Sequence, residues 1–192
     1  MDRPERTAAI DYLRRKGTDA PVAKLLSGLR STFRTIELTL DRVPEALRPR
    51  RPAAAAWSAH EVVDHLVETH RPAVLELRAL CAGVAPVGGP IPARLRSAYP
   101  FERPWADLVV ELKDIHGQII ELVEQAGDTA PVAVKAPFVM VVKGQGPDGP
   151  EVIEWVDALD WKAYAQALRI HTHEHGAQVE RTVAALSAEP QE

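Results

Sequence analysis

The sequence of 192 residues contains one cysteine, Cys81. A lone thiol excludes an internal disulfide framework and a zinc ribbon, and it fits a reducing compartment. Cys81 itself reads as a small buried hydrophobe rather than a nucleophile. An excess of basic residues is also missing. Lys and Arg number 23 against 27 Asp and Glu, a net charge of −4, so no nucleic-acid footprint is expected. No apolar run approaches the roughly 20 residues of a membrane span. Charges from Asp2 to Arg30 interrupt the first thirty residues and leave no room for a secretory h-region. The expectation is a cytoplasmic protein with neither a nucleic-acid nor a membrane partner.

Several catalytic signatures are absent as well. Neither GxxxxGK[ST] nor GxSxG occurs. The segment His60-Glu61-Val62-Val63-Asp64 approaches HExxH, but Asp64 stands where the second histidine belongs and His65 is one residue out of register. After His173-Glu174 the corresponding position is Ala177. A carboxylate-bridged di-iron bundle needs Glu-x-x-His on its helices, and no glutamate here has a histidine three residues on; Glu68, for example, is followed by Arg71. Gly144-Gln145-Gly146-Pro147-Asp148-Gly149 matches GxGxxG formally. Pro150 and Glu151 follow at once, so no helix opens at the glycines and the segment reads as a turn.

What is present is an ordinary globular composition, 46% hydrophobic and 26% charged. The chain is long enough to bury a core without disulfides or a structural metal, and a single domain over residues 1–192 is expected. Sixteen prolines and eleven glycines cluster between long periodic segments, the pattern of helices joined by loops. One amphipathic segment runs from about Pro21 to Val43 on Leu25, Leu29, Phe33, Ile36 and Leu40. A shorter one near Arg6–Arg15 can lead it. The next opens on a capping box, Ser58 with Glu61, behind a Trp57 placed to staple onto Val62. Its stripe continues through Leu66, Val74, Leu77 and Leu80, and Pro72 predicts a kink or break. Residues 82–104 read as an irregular loop. A third long helix extends from about Pro104 to Gly127. Residues 129–158 alternate, as in Phe138, Met140 and Val142, and read as an extended or β-hairpin excursion. Asp157 or Asp160 can cap a last helix reaching about Leu186. Four long helices with one apolar stripe each must bury those stripes together, and an all-α four-helix bundle is the simplest solution.

Seven histidines are distributed unevenly. His171, His173 and His175 fall within five residues of the last helix. His171 and His175 are one turn apart on a face shared with Tyr164, Leu168 and Gln178. His173 lies about 200° around the axis and is expected in solvent. A pair at this spacing also occurs with no role beyond packing. A third candidate on another helix, His65 at the flank of the stripe beside Val62, Leu66 and Thr69, strengthens the metal reading. Three neutral imidazoles leave a coordination position open, as in catalytic metal sites. Zinc and nickel suit such a set first, with iron also accepted, and the ligands do not decide among them.

Two segments carry a family resemblance. Trp57-Ser58-Ala59-His60-Glu61-Val62-Val63-Asp64-His65-Leu66 is similar to the W-S-x-x-E-x-x-x-H-L opening of the second bundle helix in the DinB-like superfamily. His171-Thr172-His173-Glu174-His175-Gly176-Ala177-Gln178 resembles its H-x-x-x-H-x-x-Q on the last helix. The resemblance implies an up-down-down-up bundle, often dimeric, with a divalent metal held by His65, His171 and His175. It also implies chemistry of the superfamily's kind, transfer or isomerisation that depends on a low-molecular-weight thiol. The chain departs from the pattern in its long 129–158 segment.

The expected function is therefore a metal-dependent enzyme acting on a small molecule. The open position would present either a thiolate for transfer or a hydroxide for hydrolysis. Glu61, one turn before His65, and Gln178, one turn after His175, are candidates to orient the imidazoles. Tyr164 is a candidate donor to substrate. The alternative is a non-catalytic bundle that holds metal or ligand and works through a partner or a homodimer, with Trp105, Trp155 and Trp161 as candidate interface or pocket aromatics that bundle packing explains equally well.

Overall fold

A computed structural model describes residues 3–146 and 149–188. In chain order the elements are α1 (Pro4–Leu13), a π-helical turn (Arg14–Thr18), α2 (Val22–Asp41), α3 (Ala59–Cys81), α4 (Trp105–Ala126), β1 (Ala136–Gly146), β2 (Gly149–Leu159) and α5 (Trp161–Ser187). Three of the four long helices start or end where the local chemistry dictates. Ser58 and Glu61 form the reciprocal capping box of α3. Asp160, not Asp157, caps α5 by accepting from the amides of Lys162 and Ala163. Gly127 closes α4 at φ +59, a conformation favoured by glycine. Pro104 precedes the first turn of α4 rather than lying in it. The break considered at Pro72 does not occur: α3 runs unbroken through it. Neighbouring helices hold the backbone there, and Ala73, Val74 and Leu77 beyond the proline are all buried.

α2 packs against α4 and α5, and α3 packs against the same two. Consecutive α2 and α3 therefore sit across a diagonal. Side-chain pairs give the directions. Thr39 meets Glu180 while Thr32 meets Arg169, so α2 and α5 run in parallel. His65 meets His171 while Glu76 meets Tyr164, so α3 opposes α5. Asp41 meets Lys113 while Arg30 meets Glu124, so α4 opposes α2. The order is up-down-down-up. Because α3 and α4 point the same way, residues 82–104 must return along the length of the bundle, about 33 Å for a helix of this size. That return brings Leu95, Arg96 and Ser97 across the face of α3. Asp64 fastens it, accepting from the Ser97 amide at 2.9 Å and its hydroxyl at 2.7 Å.

The core is continuous, with Leu13, Phe33, Leu66, Leu112, Ala136, Leu159, Trp161 and Leu168 drawn from all five α-helices and both strands. β1 and β2 pair as an antiparallel hairpin from Ala136↔Leu159 to Gly146↔Gly149. The glycines of the formal GxGxxG thus belong to a hairpin end; Pro147 and Asp148 lie outside the described residues. Phe138 docks the hairpin edge-on against Tyr164, with ring centroids 5.1 Å apart. Among the described residues, no helix is long and apolar enough to cross a membrane.

Candidate metal centre

α3 and α5 bring His65, His171 and His175 to one point. A ring nitrogen from each lies within 4.8 Å of the other two. Nε2 of His65 and Nε2 of His171 are 3.0 Å apart, near the roughly 3.3 Å that two ligands of one tetrahedral ion keep at about 2.05 Å each. The ring centroids of His65, His171 and His175 are 4.5–5.0 Å apart and meet edge to face. His173 faces solvent, its side chain 66% exposed, as the helical angle requires.

The outward nitrogens are committed elsewhere. Nδ1 of His65 lies 2.7 Å from the Leu95 carbonyl. Nδ1 of His175 lies 2.9 Å from Oε1 of Gln178. Both oxygens only accept, so these imidazoles carry their proton on Nδ1 and a lone pair on Nε2. Nδ1 of His171 meets Nε2 of a fourth histidine, His70, at 3.0 Å. Burial disfavours the charged ring in all four. It lowers His65, takes His175 down to about 4 with help from His65, and holds His70 and His171 well below the usual histidine range. Neutral imidazoles, two of them with their lone pairs fixed inward and all three with tethered outer nitrogens, suit a divalent transition metal. The residues present fit the metal.

Around the three rings, Trp57 stands 5.1 Å from His65 and 6.3 Å from His175, ring centre to ring centre. Trp57 thus serves the site as well as the entry to α3. The guanidinium of Arg96 lies over it at 4.6 Å. The other orienting candidates fall elsewhere. Glu61 does not turn to His65. Its carboxylate accepts from the Ser58 amide at 3.0 Å, from Arg51 at 2.7 Å and from Arg96 at 2.8 Å. Tyr164 donates to Glu76 at 2.6 Å and is fully buried, so it is a core residue rather than a donor to substrate. Cys81 is half-buried and burial pushes its thiol up to about 11, against nucleophilic use at neutral pH.

Sequence reasoning did not single out His70, Arg96 or the Leu95 carbonyl. His70 sits five positions after His65, about 140° around the helix, so no periodicity links them. Leu95 contributes backbone, which leaves no trace in residue type.

No protein-family model matches the chain. No curated protein matches it either. Among solved structures it resembles YfiT from Bacillus subtilis, described as "a probable metal-dependent hydrolase with an unusual four-helix bundle topology". The TM-score is 0.59 at 14% sequence identity, over 88% of this chain and 89% of that one. The two share the fold.

Proposed function

We propose that this chain binds one divalent transition metal through His65, His171 and His175 and uses it in hydrolysis of a small-molecule substrate. The observation that carries the reading is the convergence of three neutral ring nitrogens whose opposite sides are already bonded. The described bundle structure of the Bacillus subtilis protein supports the choice of hydrolysis. Three uncharged ligands leave a bound ion its full charge, and the chemistry it then supplies is Lewis-acid activation of water near neutral pH.

The chain's own residues do the rest. Leu95 and Gln178 hold two imidazoles in the Nδ1–H tautomer. Trp57 forms a rigid aromatic wall beside His65 and His175, limiting water and offering a stacking face. Glu61 holds Arg96 over that wall and fixes the crossover segment. Transfer through a low-molecular-weight thiol is the competing chemistry, and a metal-holding module without turnover is the competing role.

The test is a zinc- or nickel-loaded preparation assayed on ester and amide panels, and in parallel on a low-molecular-weight thiol with an electrophile. Turnover of an ester or amide, lost in His171→Ala with the fold retained, is the expected result. Thiol consumption instead would reassign the chemistry. Stoichiometric metal with no turnover on either panel would leave a binding module.

A further inference from the structure

His70 is not one of the three ligands, yet it is fully buried beside one. Two nearby polar atoms are orphaned. Nδ1 of His70 and Nε2 of His116 are both buried without a hydrogen-bond partner among the described residues. Their rings lie 6.2 Å apart, centre to centre. On its far side His116 meets Oε1 of Glu37 at 3.1 Å through Nδ1, and it stacks flat on Phe33 at 3.9 Å. A carboxylate oxygen accepts, so His116 donates from Nδ1 and keeps a lone pair on Nε2. That lone pair has no donor, a costly state for a buried group.

The proton count explains the orphans. Without a metal, the 3.0 Å between Nε2 of His65 and Nε2 of His171 needs a proton. His65 has placed its own on Nδ1 toward Leu95, so His171 supplies the proton from Nε2. Nδ1 of His171 is then bare, and His70 donates to it from Nε2. This leaves Nδ1 of His70 and Nε2 of His116 as two acceptors without a donor. With a metal on Nε2 of His171, the proton of that ring moves to Nδ1 and Nε2 of His70 becomes the acceptor. The His70 proton would move to Nδ1, facing the His116 ring 6.2 Å away, where one bridging water would carry the donor that His116 lacks. Every ring stays neutral with one proton, so the count is unchanged.

We propose that His70 is the positioning residue for His171: it accepts the Nδ1 proton of that ligand, keeps its Nε2 bare toward the metal, and is itself held by a buried chain through His116 to Glu37. The inference rests on the metal reading above. It makes the chain His171–His70–His116–Glu37 complete only in the loaded protein.

The test is zinc affinity by chelator competition, with folding checked by circular dichroism. His70→Leu is expected to weaken zinc binding by roughly 10- to 100-fold. His70→Gln keeps an acceptor for His171 Nδ1–H and is expected to recover most of that loss, which a purely structural role for the ring would not produce. Long-range nitrogen–proton spectra of the unaltered zinc-loaded chain should show His70 protonated on Nδ1, and they decide the matter even if His70→Leu fails to fold. Protonation on Nε2 instead, or a folded His70→Leu chain that binds zinc as tightly as the unaltered one, overturns the inference alone. An unaltered chain that takes up no zinc overturns the metal reading with it.

Discussion

Gln178 and Glu61 are each one helical turn from a histidine of the three-ring cluster, yet only Gln178 reaches its ring. The difference lies in competitors. Gln178 accepts from the imidazole at 2.9 Å, whereas two arginines from loops, Arg51 and Arg96, converge on Glu61. Replacing Gln178 by Leu removes the acceptor that fixes the His175 tautomer and should weaken zinc binding by about tenfold or more, measured by competition titration; unchanged affinity would show that the hydrogen bond is incidental. Glu61 carries the pH dependence. Burial pushes its carboxyl up, but Arg51, the Ser58 amide and Arg96 outweigh burial and hold it below the ordinary value of 4.5. A carboxylate depressed in the folded state adds stability above the unfolded value, lost as pH falls through the folded one. Glu61→Gln should therefore destabilise the chain by about 1.5–3 kcal/mol at pH 7, and the gap to the unaltered chain should narrow in denaturant titrations as pH falls below 4.5 through the depressed folded value. Helical spacing shows the His171–His175 pair and marks His65 at the edge of a stripe. It cannot show which outer nitrogen meets which partner, because Leu95, Arg51 and Arg96 arrive from distant loops.

Ends of helices proved the most readable elements, since capping chemistry is local. The Ser58–Glu61 box and the Gly127 stop stand as the sequence implies. Ser58→Ala should cost about 1 kcal/mol in unfolding free energy. Pro72 was harder to read, because a missing amide disfavours a helix locally while the buried residues beyond it, Ala73, Val74 and Leu77, hold α3 in the core and the helix continues. The hairpin showed in the even spacing of Phe138, Met140 and Val142, but β1 and β2 extend it to eleven residues a strand. The turn after α1 holds a contact no pattern suggests. A Cβ on Gly17 would stand 2.7 Å from the backbone Cα of Ala163 at the start of α5. Gly17→Ala should destabilise by about 1–3 kcal/mol through overpacking, seen as a lower unfolding midpoint. An unchanged midpoint would mean that the turn and α5 separate without cost.

At the scale of the whole molecule, topology creates the site. α3 opposes α5, which brings His65 level with His171 and His175, and the parallel pair α3–α4 forces the long return that delivers the Leu95 carbonyl. Bundle architecture was legible from four apolar stripes; the diagonal placement of α2 and α3 was implied only by the family resemblance, since stripes do not encode helix order. Because the ligands come from two helices, metal should stabilise the fold as a unit. At a free concentration 100 times the dissociation constant the gain is about 2.7 kcal/mol, measurable as a rise in denaturation midpoint that His171→Ala abolishes.

The most direct measurement is metal content joined to X-ray absorption on protein purified without a histidine tag and incubated with zinc. The expected result is about one zinc per chain with three imidazole nitrogens at about 2.0–2.1 Å. Less than about a tenth of an equivalent, or a zinc ion bound by fewer than three imidazoles, would contradict the convergence of His65, His171 and His175 on a common ion.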